Sequence, residues 1–176
     1  ASADADIELI SVAYEIMKNF GAKNSDFIIK VSSRKLMNAV FGTWYELDEA
    51  QSKALQRHMD KKSKMPEEVF YMEAEKIIGK PFKFLNLSHT SSDYEEAMAF
   101  PAIREAKEEL DLILAGLKAR GVTNVEYDEN VIRGFDYYTG TVFEVFDTDP
   151  ANNRSLFGGG RYDNLMSLFG DETLPA

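Results

Sequence analysis

The run VIRGFDYYTGTVFEVF, residues 131–146, decides how this chain is read. It begins as a strand and is then interrupted by Arg133, Gly134, Asp136 and the adjacent Tyr137 and Tyr138. After Thr139-Gly140 it becomes a strand again. Arginine is a permanent cation with a planar fork that suits phosphate or carboxylate. Glycine allows a ligand close to the backbone. Each tyrosine pairs a flat apolar face with a hydroxyl. Adjacent strand residues point to opposite faces, so Tyr137 and Tyr138 serve one site only where the backbone departs from regular pairing. On local composition alone, the simpler reading is an edge-strand arginine in a salt bridge and two half-buried tyrosines.

Working outward, the following strands lie close together. VTNVEYD, VIRGFD, TGTVFEVFD and SLFGG all read as strands, and GRYDNLMSLFG reads as a final helix. Parallel neighbours need a crossover of about a dozen residues or more, so these short links imply a mainly antiparallel sheet. Upstream, residues 4–20 carry Ile7, Ile10, Tyr14 and Met17 at helical spacing. Ser2 is a candidate N-cap, Asp4 and Asp6 suit the positive end of the helix dipole, and Gly21 can close the helix. FIIKVS, 27–32, reads as a strand.

From Ser33 the character is helical. SRKLMNAVFG reads as a short helix, and Asp48 and Gln51 are spaced as a capping box. PEEVFYMEAEKIIG places proline at a first helical position and glycine just past the end. Ser88 to Asp93 reads as a loop. PAIREAKEELDLILAGLKARG carries an apolar stripe of Ile103, Ala106, Leu110, Ile113 and Leu117, closed by Gly121. The fold class expected is α+β, with a helical block inserted into one sheet domain.

Composition narrows the function classes. The 176 residues are 44% hydrophobic and 28% charged, which is ordinary for a folded domain. The absence of cysteine excludes disulfides, thiolate nucleophiles and cysteine zinc sites. No apolar run is long enough to span a bilayer, so no membrane partner is expected. His58 and His89 lie in no metal-ligand spacing, and no metal site is expected. A formal charge of −10 disfavours indiscriminate nucleic-acid binding but leaves room for a local basic face. The stretch 53–64 is such a face, with Lys53, Arg57, Lys61, Lys62 and Lys64 against Asp60 alone. The simpler reading there is a solvated helix surface.

A second constellation is FGGGRYDNL, 157–165. It lacks the lysine and serine or threonine of a phosphate loop and fails the dinucleotide-fold spacing. Alone it reads as a glycine-permitted turn.

Taken together, RGFDYYTGTVFE and GGGRYD resemble the paired signature motifs of the histidyl-tRNA synthetase family. Phe135 stands where the family pattern has leucine, and Asn164 where it has glycine. DADIELISVAYEIMKNFGA resembles the family helix that follows the second class II motif, and TLPA the residues before the third. The chain begins ASADAD without methionine and ends GDETLPA, and both ends read as cut. The resemblance implies catalytic-domain parts at 1–33 and 122–176 around a helical insertion at 34–121, near the tRNA acceptor arm.

It also implies roles. Arg133 would contact the α-phosphate of ATP and the histidine carboxylate and act as the catalytic cation. Tyr137, Tyr138 and Tyr162 would line the histidine pocket, with Gly159 and Gly160 admitting the ligand. With such a partner the basic face of Lys53, Arg57, Lys61, Lys62 and Lys64, read from charge alone, is a candidate tRNA contact. The implied partners are histidine, ATP with accompanying Mg2+, tRNA(His) and, in the whole protein, a second copy, in the cytoplasm. The first and second class II motifs would precede residue 1 and the third would follow residue 176, so the fragment alone is expected to be inactive. A synthetase-like regulatory subunit of ATP phosphoribosyltransferase is the rival reading. A structural or RNA-binding module is a third.

Overall fold

The computed structural model describes residues 2–88, 90–131, 138–152, 154–163 and 170. They fall into two compact units, one from 2–34, 108–131 and the described residues from 138 onward, the other from the described residues of 35–107.

The first unit holds a four-stranded sheet of order β2-β1-β3-β4, the strands being β1 (Phe27–Ser33), β2 (Val125–Tyr127), β3 (Thr141–Asp147) and β4 (Ser155–Gly160). β3 is antiparallel to both β1 and β4. β1 and β2 are parallel. The parallel pair is the one whose link is long, since all of the second unit intervenes, and the short-linked β3 and β4 are antiparallel as expected. The α+β class with a mainly antiparallel sheet therefore holds.

Register assigns the two faces of the sheet. Ile29 pairs Val145 and Val31 pairs Phe143, so these residues share one face, and Phe27, Ile29, Val31 and Val145 are all fully buried. Helix α1 (Ala3–Asn19) turns Ile7, Ile10 and Tyr14 inward, and the Tyr14 ring meets Phe27 at 5.8 Å. Ser2 accepts the Ala5 amide as N-cap. Gly21 at φ +91° closes the helix, its N–H bonding Lys18 O while the next N–H reaches Met17 O. Ile7 also packs on helix α6 (Pro101–Ala119), where a Cβ on Gly116 would stand 2.4 Å from Ile7 Cδ1. The opposite face carries Lys30, Val142, Glu144 and Phe146. There Lys30 donates to Asp128 at 2.7 Å and lies 5.5 Å from the Phe146 ring centroid.

The second unit is helical. It contains α2 (Arg34–Ala39, beginning in the first unit), α3 (Glu49–Met59), α4 (Glu67–Ile78) and α5 (Ser92–Met98). Met37, Phe41, Leu55, Met59, Phe70 and Ile78 are among its core residues. The Asp48–Gln51 capping box forms in both directions. His58 is 5% exposed, stacks on Phe70 at 4.6 Å and shares a 2.8 Å hydrogen bond with Phe70 O through Nε2.

Local expectations differ from the structure in several places. SRKLMNAVFG is not one α-helix, because α2 passes into a π-helical turn at Val40–Trp44. Pro66 is the N-cap of α4 rather than its first helical residue. Helix α5 begins inside the expected loop at 88–93, because Ser91 caps it by accepting the Asp93 amide. Serine and aspartate serve loops and helix starts alike, which is why the composition misleads there. VTNVEYD forms strand only over Val125–Tyr127. The expected strand at VIRGFD lies, except for Val131, outside the described residues. Of the expected final helix, Gly160 belongs to β4 and Arg161 and Tyr162 precede a turn at Asp163; 164–169 are outside the described residues.

Candidate functional site

The two signature stretches meet as neighbouring chain segments. The Thr139 and Gly140 amides donate to Arg161 O at 2.8 and 3.4 Å, and the Arg161 amide donates to Thr141 O at 2.8 Å. The Thr139 hydroxyl donates to Asp163 Oδ2 at 2.7 Å and accepts the Asp163 amide at 3.0 Å. TGT and GRYD therefore continue the β3–β4 pairing past the end of the ladder, and residues distant in sequence become adjacent.

That pairing sets the tyrosines together. Tyr138 and Tyr162 contact at 5.4 Å between ring centroids with planes tilted by 40°. Tyr138 is buried with Val131 and Val142, and Tyr162 and Phe146 pack against them half-buried. Val142 and Glu144 belong to the sheet face opposite Phe27 and Ile29, so this cluster lies on that opposite face. Glu144 accepts Ser155 Oγ there at 3.2 Å.

The glycines are required by close packing. A Cβ on Gly160 would stand 2.7 Å from Tyr138 Cδ1 and 2.9 Å from Thr141 O, and one on Gly158 would stand 2.3 Å from Phe143 O. Gly159 is less constrained, its nearest neighbour being Phe143 Cε1 at 3.2 Å. At Gly160 the space a side chain would need is thus taken by a tyrosine ring of the site itself.

Behind the tyrosines, Arg161 is held in a charged network. Its Nε and Nη2 both donate to the Asp6 carboxylate, the first at 3.1 Å, and Nη1 donates to Glu109 at 3.1 Å. Thr141 Oγ1 adds a 2.6 Å bond to Asp6. The Arg161 and Asp6 side chains are 11% and 9% exposed. Burial alone would lower the arginine pKa, but the bond to Asp6 and the charges of Asp6 and Glu109 outweigh it and raise the pKa further. Asp6, Glu109, Thr139 and Asp163 were not candidate site residues on sequence. Asp6 read only as a helix-dipole acid, and nothing in spacing links it to a residue at the other end of the chain.

Of the candidate residues, Tyr138, Tyr162 and Gly160 are therefore brought together, while Gly159, in register with Phe143, faces the other side of the sheet. Arg133 and Tyr137 lie outside the described residues, as does His89. The basic stretch is distributed over different local structures. Lys53 and Arg57 are exposed on α3, and Lys53 pairs with Glu49 at 2.5 Å. Lys61 follows the helix, and Lys62 and Lys64 lie on a 3-10 turn. Lys62 Nζ stands 3.9 Å from the Phe84 ring centroid, and Lys64 lies 4.0 Å from Asp60. Among the described residues no group of three or more acidic or histidine side chains is arranged to hold a metal ion, and no helix is long and apolar enough to cross a membrane.

Comparison with known proteins gives a consistent result. A family model described as histidyl-tRNA synthetase matches residues 1–176. A histidine–tRNA ligase of Leptospira biflexa is 36% identical over 98% of this chain, and one of Haloarcula marismortui is 32% identical over all of it. This chain spans 40% and 42% of those relatives, about two fifths of their length. Among solved structures, the histidyl-tRNA synthetase of Nostoc sp. PCC 7120 superposes with a TM-score of 0.82 at 24% identity, over 99% of this chain and 44% of that one. A Bacillus halodurans structure described as an ATP phosphoribosyltransferase regulatory subunit/histidyl-tRNA synthetase superposes at 0.72 with 23% identity, over 96% of this chain and 45% of that one. At these identities the two superpositions speak for the fold.

Proposed function

Because the chain belongs to the histidyl-tRNA synthetase family, we propose that it is part of the catalytic domain of a histidine–tRNA ligase. The parent enzyme would join histidine to ATP, giving histidyl-adenylate and pyrophosphate, and then transfer the histidyl group to tRNA(His) in the cytoplasm. The observation that carries this reading is the contact of Tyr138 with Tyr162 at 5.4 Å, reached through the pairing of the two signature stretches. Such a pair offers flat apolar surface for an imidazole ring and hydroxyls for its nitrogens. Tyr137 would complete the pocket, Gly160 would keep a side chain out of it, and Gly159 would let the ligand approach the backbone. Arg133 would contact the α-phosphate and the histidine carboxylate, where a guanidinium stabilises the charge that grows on the phosphoryl oxygens. Magnesium would arrive with ATP.

Residues 34–121 would be the family's helical insertion, a proposal that the separate compactness of 35–107 supports up to Lys107, while 108–121 group with the sheet unit. Lys53, Arg57, Lys61, Lys62 and Lys64 would meet the tRNA backbone, and the full-length protein would be a homodimer. The second reading is the regulatory subunit of ATP phosphoribosyltransferase, favoured by the likeness to the Bacillus halodurans protein. Such a subunit would bind histidine without activating it.

Histidine-dependent ATP–pyrophosphate exchange by the full-length protein separates the two readings. Robust exchange and charging of tRNA(His) are expected. Histidine binding with no exchange would refute the ligase reading and support the second. The chain 1–176 by itself is expected to show no exchange.

A further inference from the structure

We infer that Arg161 is a positioning residue: gripped from behind by Asp6 and Glu109, it sets the spacing of Tyr138 and Tyr162 in front. The inference rests on the reading of those tyrosines as a histidine pocket. Three observations carry it.

The first is direction. Thr141 lies in register with Ser33 and shares the sheet face of Phe143 and Val145. Its hydroxyl bonds Asp6 of α1, which also takes two donors of Arg161. Tyr162, the next residue, packs instead with Tyr138 and Val142. Consecutive side chains of one extended segment thus anchor on opposite faces, and a segment pegged this way cannot rotate about its own axis.

The second is backbone continuity. The Arg161 carbonyl accepts the Thr139 amide at 2.8 Å, and its own amide donates to Thr141 O at 2.8 Å. The residue whose side chain is pegged is therefore also the one whose main chain holds the segment that follows Tyr138. A shift of Arg161 carries both rings with it.

The third is shape. Asp6 receives Nε and Nη2 side by side, the forked pairing that only a guanidinium offers, while Glu109 of α6 takes Nη1. Gly140 makes room, since a Cβ there would stand 2.8 Å from Arg161 Cδ. With three of its donors on two carboxylates behind the sheet, this arginine is a brace rather than a ligand for substrate phosphate.

The test uses the full-length protein and the variants Arg161→Lys, Asp6→Asn and Glu109→Gln. Lysine keeps the charge and loses the fork, and glutamine keeps an acceptor for Nη1 and loses the charge. Arg161→Lys and Asp6→Asn are expected to raise the histidine KM in pyrophosphate exchange by about ten- to a hundredfold, the usual effect of a slight misplacement. The ATP KM should stay within about twofold and kcat at saturating histidine within about threefold, because the brace acts on the pocket and not on the phosphates. Glu109→Gln should shift the histidine KM in the same direction by less. An unchanged histidine KM, or a fall in kcat alone, would overturn the inference.

A second readout is independent of activity. In protein labelled with 3-fluorotyrosine, the Tyr138 and Tyr162 resonances, assigned with Tyr138→Phe and Tyr162→Phe, should both move in Arg161→Lys. Unmoved resonances would overturn the inference even if the wild type shows no exchange. A wild type without exchange but with moved resonances would instead refute the ligase reading and leave the brace supported.

Discussion

Replacing each of the three consecutive glycines of β4 by alanine should give three different results, although a sequence pattern treats the three alike. At Gly159 the new methyl would lie 3.2 Å from one edge of the Phe143 ring. A few tenths of an ångström of ring movement relieves that. Alanine also restricts the unfolded chain, which stabilises by about 0.4–1 kcal/mol where the backbone conformation suits it. Gly159→Ala should therefore be neutral or slightly stabilising. At Gly160 the methyl would lie 2.7 Å from Tyr138 Cδ1 and 2.9 Å from Thr141 O, one of which is backbone. Overpacking of that kind costs about 1–3 kcal/mol, and the entropic gain offsets only part of it. The Tyr138 ring must move, and the 2.8 Å bond from the Arg161 amide to Thr141 O is strained with it. At Gly158 the methyl would lie 2.3 Å from Phe143 O on the paired strand, with no flexible side chain to yield. There the two strands must part, and the loss should reach about 3 kcal/mol, the top of the range for overpacking.

Urea denaturation of the purified chain, followed by far-ultraviolet circular dichroism, should rank the midpoints Gly159→Ala highest, Gly160→Ala lower and Gly158→Ala lowest. In the full-length protein, Gly160→Ala should also raise the histidine KM, because the Tyr138 ring is displaced. A Gly160→Ala variant as stable as Gly159→Ala would show that the Tyr138 ring does not occupy the space above residue 160.

Other perturbations test other parts. Lys62→Ala should destabilise the chain by about 0.5–1 kcal/mol, because its ammonium stands over the Phe84 ring, whereas exposed Lys53→Ala should change stability by less; equal urea midpoints would refute this. If Lys53 and Arg57 bind the tRNA backbone, their neutralisation should reduce the slope of log affinity against log salt by about 0.7–0.9 for each phosphate no longer neutralised, and an unchanged slope excludes them. His58→Ala should cost about 2–4 kcal/mol, since it leaves a void against Phe70 and removes the bond to the Phe70 carbonyl; a loss below about 1 kcal/mol would contradict the packing. The Lys30–Asp128 pair carries a pH dependence at both ends. Burial works against the Asp128 carboxylate, but the bonds from Lys30 and Asn130 prevail and hold its pKa below the usual 3.8, so its contribution is present above that value and lost as pH falls through the lower folded one. The Lys30 pKa is raised above 10.5, chiefly by its bond to Asp128, so that contribution is full below 10.5 and lost only at still higher pH. Each is a part-exposed pair effect of about 1 kcal/mol or less, and Asp128→Asn should remove the acid inflection from the stability–pH curve and reduce the alkaline one, which Glu126 still supports.

Much of this molecule is legible in the order of its residues. Ser2, the Asp48–Gln51 box, Gly21, Gly79 and Gly121 mark helix ends correctly because capping is decided within one turn of chain. The apolar stripe Ile103 to Leu117 is buried throughout because helical period alone sets which side chains share a face. The mainly antiparallel sheet follows from link lengths. Where the reading erred, at Ser88 to Asp93 and at Val40–Trp44, the same residue types serve two local structures, and packing chooses between them.

Residue order alone settles most of the elements and the chemistry of two short stretches: a fork of charge, paired aromatic hydroxyls and a glycine run. Which of these meet was settled by tertiary structure. Tyr138 finds Tyr162 only because β4 returns beside β3, and Arg161 finds Asp6 only because α1 lies against the sheet from the far end of the chain. The physical reason is one of range. Caps, turns and periodicity act over a few residues and leave a mark in local spacing. Ring contacts and forked ion pairs depend on strand register and helix placement, which are set by burial across the whole core.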